Sequence, residues 1–192
     1  MKELTCLLMC MIIIFVYTNY IRKSLYLSKI ESTINQEKYY VRNLPDKQKA
    51  ADYLARISQS LKKLIHSLNI EDNERGKAIK RLKKNFDPKQ VTENIPGSMY
   101  VAYSVNKGDE LSICIREKDT DIFLDMNIVI FVAIHELSHI MSKSTGHTEE
   151  FWDNMKYLLE EGNKVGIYRP VDYSQYPVNY CGMEINSTPL NL

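Results

Sequence analysis

The sequence has 192 residues, of which 44% are hydrophobic and 26% charged, and this length and composition support one hydrophobic core of ordinary size. The formal net charge of +1 excludes the large basic excess of proteins that bind nucleic acid over their whole surface. The four cysteines, Cys6, Cys10, Cys114 and Cys181, are too few and too scattered to predict a disulfide framework, so nothing in the sequence demands an oxidising compartment.

The N-terminal segment is strongly apolar. Residues 4–21 carry no charge, and Arg22 and Lys23 follow at once. This length just spans the hydrocarbon core of a bilayer, and the segment lacks the small residues of a signal-peptide cleavage site. We therefore predict a transmembrane anchor over residues 1–23, with a cleaved signal peptide or a buried helix as the alternatives. The positive charges after the segment predict a single-pass membrane protein whose remaining part faces the cytoplasm.

The rest of the chain begins with a polar stretch, residues 24–45, which is interpreted as a juxtamembrane spacer. A folded domain is predicted over residues 46–192. Apolar residues recur every three or four positions within residues 46–68 and again within residues 74–86, which predicts two amphipathic helices. The second helix carries a basic face over residues 75–84. Such a face could meet nucleic acid or anionic lipid, although charged helical faces are usually only solvated.

A β-hairpin is predicted next. Residues 99–105 alternate, with Val101, Tyr103 and Val105 on one side, and residues 111–116 alternate in the same way. The residues between the two stretches have the composition of a tight turn. The free edge of such a hairpin could bind an extended peptide through backbone hydrogen bonds.

The most informative stretch is residues 128–139, with the sequence IVIFVAIHELSH. On a helix, His135 and His139 lie on one face about one turn from each other, so they can bind the same metal ion. Glu136 lies beside them. The alternative is a core helix whose histidines are only hydrogen-bonded, but two histidines and a glutamate are costly to bury without a metal.

This combination of residues has the chemistry of zinc-dependent hydrolysis. Neutral imidazoles leave the charge of Zn²⁺ largely uncompensated, so a bound water becomes acidic enough to supply hydroxide near neutral pH. Glu136 is too near His135 to be the obvious third ligand, but it can take the proton from that water and pass it to the leaving amine. The sequence therefore predicts peptide-bond hydrolysis without a covalent intermediate, with Glu136 as the general base.

The third zinc ligand has two sets of candidates. His147 follows Gly146, which permits a tight turn, and precedes a helical pattern that includes Phe151. A turn after the first helix would therefore bring His147 back to the metal. Glu160 and Glu161 are the alternative, because they lie at about the distance along the next helix that suits a glutamate ligand.

The last part of the chain, residues 162–192, is rich in tyrosine and proline. It is predicted to lie extended over the domain. One of its tyrosines is a candidate donor of a hydrogen bond to the oxyanion of the tetrahedral intermediate. The sequence does not select one, and simple packing is the alternative for each.

Several of these features together resemble the WLM family of zinc metalloproteases, which is related to the SprT-like group. The resemblance covers about residues 79–161 and depends on the order of Pro88, the Asn106-Lys107-Gly108 turn, the strand at residues 111–116, the HELSH helix, and Gly146-His147 with Phe151. It implies a compact α+β zincin domain in which His135, His139 and His147 bind zinc and Glu136 is the general base. The best-known members of the family degrade proteins crosslinked to DNA.

These observations lead to three hypotheses about function. The first is a membrane-anchored, zinc-dependent endopeptidase that acts on protein or peptide substrates. The second is a catalytically inactive, membrane-tethered module that binds proteins in the same cleft. The third is a DNA-associated protease that degrades protein–DNA crosslinks and in which residues 4–21 are not an anchor. An intact Glu136 favours an enzyme over the binding module.

Overall fold

A computed structural model describes residues 25–98, 100–105 and 107–191, together with residues 5, 7–11, 14 and 17. Helices and strands within this part of the chain share one hydrophobic core, which confirms the predicted α+β class. The helices are α1 (Lys47–Ser67), α2 (Glu74–Asn85), α3 (Met126–Met141) and α4 (Glu149–Lys164). The strands are β1 (Leu27–Glu31), β2 (Lys38–Arg42), β3 (Val91–Glu93), β4 (Ala102–Val105), β5 (Glu110–Ile113), β6 (Val178–Tyr180) and β7 (Met183–Ile185).

The strands form three small sheets. Strands β1 and β2 form an antiparallel hairpin, and so do β6 and β7. In the three-stranded sheet, the order is β3-β5-β4, with β3 parallel and β4 antiparallel to β5. The predicted hairpin is thus confirmed as β4 and β5. Because β5 is central, β4 lies at an edge of this sheet.

Helix α3 is the centre of the domain. The side chains from Val129 to Ile134 are all buried, so the N-terminal half of the helix is apolar on every side. Such a helix is stable only inside a protein core, and α3 packs against the other three helices and against β4 and β5. The Asp125 carboxylate caps its first turn by accepting a hydrogen bond from the Asn127 N–H at 2.9 Å. This packing fixes the direction of the polar side chains that follow.

The segment interpreted as a spacer contains secondary structure. Within residues 24–45, β1 and β2 pair, and Tyr39 and Val41 are buried against the core. The Asp52 carboxylate of α1 accepts hydrogen bonds from the Ser32 hydroxyl and the Thr33 N–H, which fixes the connection between these strands. The described part of this segment is therefore integrated into the domain.

The prediction of a single-pass membrane protein with a cytoplasmic catalytic part is corrected by the structure. Among the residues that are described, no helix combines the length and the apolar character needed to cross a membrane. Much of residues 4–21, on which the prediction depended, lies outside the described residues.

No disulfide framework was predicted from the sequence, and the structure corrects this for one pair of cysteines. Cys114, directly after β5, forms a disulfide with Cys181 in the turn between β6 and β7, and their Cα atoms are 6.5 Å apart. The disulfide joins residues 67 positions apart, a pairing that no local pattern indicates. The tail predicted to be extended therefore contains a hairpin that is covalently bound to the central sheet.

Candidate metal centre

Three histidines converge at the C-terminal half of α3. The rings of His135 and His139 lie 5.0 Å apart between centroids, and His147 comes from the loop that follows the helix. Nε2 of His147 is 3.0 Å from Nε2 of His135. One ring nitrogen from each histidine lies within 4.8 Å of the other two. The structure thus brings together the three histidines singled out in the sequence, and they offer three nitrogen donors to one ion.

The loop between α3 and α4 brings His147 back to α3. Gly146 has a φ of +79°, a left-handed conformation that glycine adopts without strain. Glu150 fixes the start of this loop, because its carboxylate accepts hydrogen bonds from the Lys143 N–H at 2.9 Å and the Ser144 N–H at 3.1 Å. These N–H groups hold the pKa of Glu150 at about 2, well below that of an ordinary carboxyl group. A negative charge on Glu150 therefore stabilises the loop that carries His147.

Phe151 lies against all three imidazoles. Its ring centroid is 4.8 Å from that of His135, 4.3 Å from that of His139 and 4.7 Å from that of His147, and the residue is fully buried. Trp152 flanks the same site at 5.6 Å from His147 and remains 41% exposed. The sequence placed Phe151 only on an apolar helical face. Its contacts show that it also limits the positions of the three imidazole rings.

Burial keeps the helical histidines neutral. It lowers the pKa of His135 to about 3 and that of His139 to about 4, and the neighbouring imidazoles reinforce both shifts. A neutral imidazole has a free lone pair, which is the form that binds a metal ion. The two helical rings are therefore suited to coordinate a cation near neutral pH.

Glu136 is buried beside the histidines and contacts the edge strand. Burial raises the pKa of its carboxyl group to about 7, and a hydrogen bond from the Ser104 N–H of β4 opposes this shift. Tyr180 is fully buried near this carboxylate. Its O–H donates to the Cys114 carbonyl at 2.8 Å, so this tyrosine supports the C-terminal hairpin and is occupied as a donor.

A chain of hydrogen bonds fixes the end of α3. The Ser142 hydroxyl donates to the Ser138 carbonyl at 2.7 Å, and the Asn154 amide donates to the Ser142 hydroxyl at 2.9 Å. Arg75 of α2 donates to the Asn154 carbonyl oxygen at 2.6 Å. From the β4–β5 turn, Lys107 donates to the Ser142 carbonyl at 3.2 Å. This network, which the sequence did not reveal, joins α2, α4 and the hairpin turn to the helix that carries His135 and His139.

A cavity of about 1180 Å³ opens in front of the histidines. Its lining includes β4 with the preceding loop, the polar face of α3, and residues 181–187 of the C-terminal hairpin. Cys114 donates its N–H to the Val101 carbonyl. Along an antiparallel strand, successive residues direct their N–H and C=O groups alternately toward and away from the partner strand. Because Val101 faces β5, the N–H and C=O of Ala102 and the C=O of Ser104 are directed away from β5. These groups lie on the edge of the sheet that borders the cavity.

The glutamates considered as alternative third ligands lie elsewhere. Glu160 and Glu161 are near the C-terminal end of α4 and are not part of the histidine cluster. Glu161 forms an ion pair with Lys164 at 2.7 Å. Within the described residues, the geometry therefore favours His147 as the third donor.

Three of the six cations on the basic face of α2 contact other parts of the domain. Several of its cations contact groups of the same chain, and these contacts join Arg75 to Asn154, Lys77 to Glu74, Arg81 to the Met141 carbonyl and Lys83 to the Leu68 carbonyl. This arrangement gives the helix a structural role. It does not support the nucleic-acid partner that the charge pattern suggested.

The sequence matches a family model and proteins of two viruses. A sequence model of the WLM domain matches residues 32–174. Uncharacterized protein R325 of Acanthamoeba polyphaga mimivirus is 32% identical over 162 residues, which are 83% of this chain and 82% of that protein. Uncharacterized protein 136R of Invertebrate iridescent virus 6 is 30% identical over 82 residues, which are 42% of this chain and 44% of that protein.

A solved structure shares the same architecture. The crystal structure of a Wss1 mutant from Saccharomyces cerevisiae superposes with a TM-score of 0.51 at 16% identity, covering 65% of this chain and 87% of that one. At this identity the similarity shows the fold alone. The family match, by contrast, extends over most of the sequence and includes the three histidines and Glu136. The chain therefore belongs to the WLM domain family.

Proposed function

We propose that this protein is a zinc-dependent endopeptidase that hydrolyses peptide bonds in protein substrates. The observation that carries the proposal is the convergence of His135, His139 and His147 beside the buried Glu136 in the lining of an open cavity. Membership of the WLM family supports a metallopeptidase. The cavity is bordered by an edge strand, which suits a polypeptide substrate.

The donor set fits zinc. The three imidazoles would supply nitrogen ligands and leave a coordination position open, as in catalytic zinc sites. When bound there, zinc would supply a Lewis acid that polarises the substrate carbonyl and makes a coordinated water acidic. The fully buried Phe151 would keep the three rings in place during the reaction.

The residues of the chain then have separate roles. Glu136 accepts the proton of the attacking water and delivers it to the nitrogen of the leaving amine. The Ser104 N–H orients this carboxylate from β4. The outward N–H and C=O of Ala102 hydrogen-bond an extended substrate segment, so that one strand positions both the general base and the scissile peptide bond.

Zinc content and peptide cleavage, measured on the full chain, test these roles separately. Glu136→Gln should keep one equivalent of zinc and lose cleavage, because the amide cannot accept the proton. His147→Ala should lose zinc. The matched control is the Glu160→Ala, Glu161→Ala double variant, which should keep both its zinc and its cleavage activity. A well-folded parent protein without zinc, or full activity in Glu136→Gln, would refute the proposal. If the parent protein bound zinc stably but did not cleave peptides, the protein-binding module would be favoured instead.

A further inference from the structure

The C-terminal hairpin (Val178–Ile185) contributes a wall of the cavity that contains the histidines. Cys181, Gly182 and the residues of β7 line this cavity together with β4 and α3. The hairpin also lies beyond residue 174, where the match to the WLM domain ends. This chain therefore completes its cleft with a segment that the family match does not include.

The hairpin depends on a few attachments to the rest of the domain. Its strands have only three residues each, and a two-stranded ribbon of this size is at best marginally stable alone. The Cys114–Cys181 disulfide binds its turn to the end of β5. Tyr180 is fully buried beside this disulfide and donates to the Cys114 carbonyl at 2.8 Å. The disulfide and Tyr180 thus hold the wall against the same strand end.

Three large apolar side chains that line the cavity are exposed at its rim. Tyr100 from the loop before β4 is 62% exposed, Met183 from β7 is 47% exposed, and Trp152 beside His147 is 41% exposed. They lie on different elements and all line one cavity, which distinguishes them from apolar residues scattered over a surface. Such a rim favours substrate segments that carry apolar side chains.

We propose that the disulfide-bound C-terminal hairpin is a specificity-determining wall of the substrate cleft, which selects extended polypeptide segments with apolar side chains. The proposal rests on the proposed function, because the histidines and Glu136 mark this cavity as the reactive one. An extended segment can pair with the outward groups of Ala102 while its side chains contact Met183 and Trp152. If the hairpin were no longer bound to β5, the substrate segment would lose its contact with Met183.

Peptide binding to an inactive full-length protein provides the test. Trp152 is the only tryptophan in the sequence, so its fluorescence reports directly on the cavity. The probe is an extended, tryptophan-free peptide with a central phenylalanine, added to the zinc-loaded Glu136→Gln protein. Replacing the phenylalanine by aspartate should weaken binding about tenfold if the rim selects apolar side chains. Equal binding of the two peptides would contradict the proposed selectivity.

The disulfide is tested in the same assay. A Cys114→Ser, Cys181→Ser variant in the Glu136→Gln background should bind the phenylalanine peptide about tenfold more weakly while keeping its zinc. Cys10→Ser is the matched control, because Cys10 is an exposed free cysteine and should leave binding unchanged. Amide hydrogen exchange should accelerate in the C-terminal hairpin of the double variant and stay slow in α3. These readouts do not require catalysis.

The outcomes separate this proposal from the proposed function. Unchanged peptide affinity in the double variant, or hairpin amides as protected as in the parent, would overturn the role of the wall. Absence of peptide binding by the zinc-loaded protein would overturn it as well. Failure of the proposed function has another signature, in which the parent with Glu136 intact binds zinc and peptide but does not cleave.

Discussion

The buried ion pair between Arg116 and Glu93 gives the sharpest prediction about stability. Arg116 is 2% exposed, and its Nε donates to the Glu93 carboxylate at 2.8 Å. Its guanidinium also forms two hydrogen bonds with Asp46, at 2.8 and 2.9 Å, and lies 4.1 Å from the ring centroid of Phe123. Glu93 is 1% exposed. Burial raises its pKa, and the Arg42 N–H and the Arg116 charge oppose this rise.

The Arg116→Met variant keeps much of the apolar stem of the side chain and removes its charge. Glu93 would then stay buried with the hydrogen bond from the Arg42 N–H, at 2.7 Å, and the charge of the Arg42 side chain as its remaining favourable interactions among the described residues. Removing one member of a buried ion pair typically costs about 3–5 kcal/mol. Domains of this size are commonly stable by only about 5–15 kcal/mol, so the loss would be a large fraction of the total. Asp46 adds little to the cost, because its side chain is 36% exposed and can be solvated.

Urea unfolding at pH 7, followed by far-ultraviolet circular dichroism, measures this cost. The Arg116→Met, Glu93→Leu double variant is the matched control, because it removes the stranded carboxylate together with the arginine. It should recover most of the lost free energy of unfolding, since apolar replacement of a buried ion pair is often nearly neutral. A loss below about 1 kcal/mol in Arg116→Met, or a double variant no more stable than it, would refute the reasoning.

Three further predictions concern Glu150 in the loop before α4, Phe151 beside the three imidazoles, and the disulfide. Glu150→Gln should cost about 1 kcal/mol at pH 7, a small value because this carboxylate is partly exposed. The pKa of Glu150 is lowered to about 2, so its contribution to the free energy of unfolding is complete above the unfolded-state pKa of about 4.3 and is lost as the pH falls toward 2. The unfolding free energies of parent and variant, measured by urea titration, should therefore converge near pH 2. Phe151→Ala should lose about 3–5 kcal/mol and also bind zinc more weakly, whereas Leu158→Ala on the same helix should lose stability alone. Replacing Cys114 and Cys181 by serine should lower the unfolding free energy by about 4 kcal/mol, from the loop between residues 67 positions apart.

The sequence predicted the elements whose signal is local. The amphipathic patterns of α1 and α2, the alternation in β4 and β5, and the apolar run of α3 are all properties of short windows. The pairing of His135 with His139 follows directly from helical geometry, and the Gly146 turn indicated how His147 could return. These residues were therefore identifiable before the fold was known.

The remaining features require contacts between distant parts of the chain. Strand β3 has only three residues and gains its place by parallel pairing with β5. The polar stretch at residues 24–45 did not reveal β1 and β2, because only Tyr39 and Val41 of β2 reach deep into the core. Arg116, read as the polar end of a strand, is buried only because Glu93 and Asp46 converge on it. No single window contains these partners.

The candidate metal centre and the walls of the cavity come from different parts of the chain. The candidate metal ligands and Phe151 lie within one helix–loop–helix segment, so substitutions there should change zinc affinity directly. The walls of the cavity come from β4 and the C-terminal hairpin, and the hairpin is connected to the sheet through Cys114 and Cys181. Zinc content and peptide affinity should consequently vary independently across the proposed variants. A set of variants in which the two always fell together would instead indicate that the hairpin and the metal centre unfold as one unit.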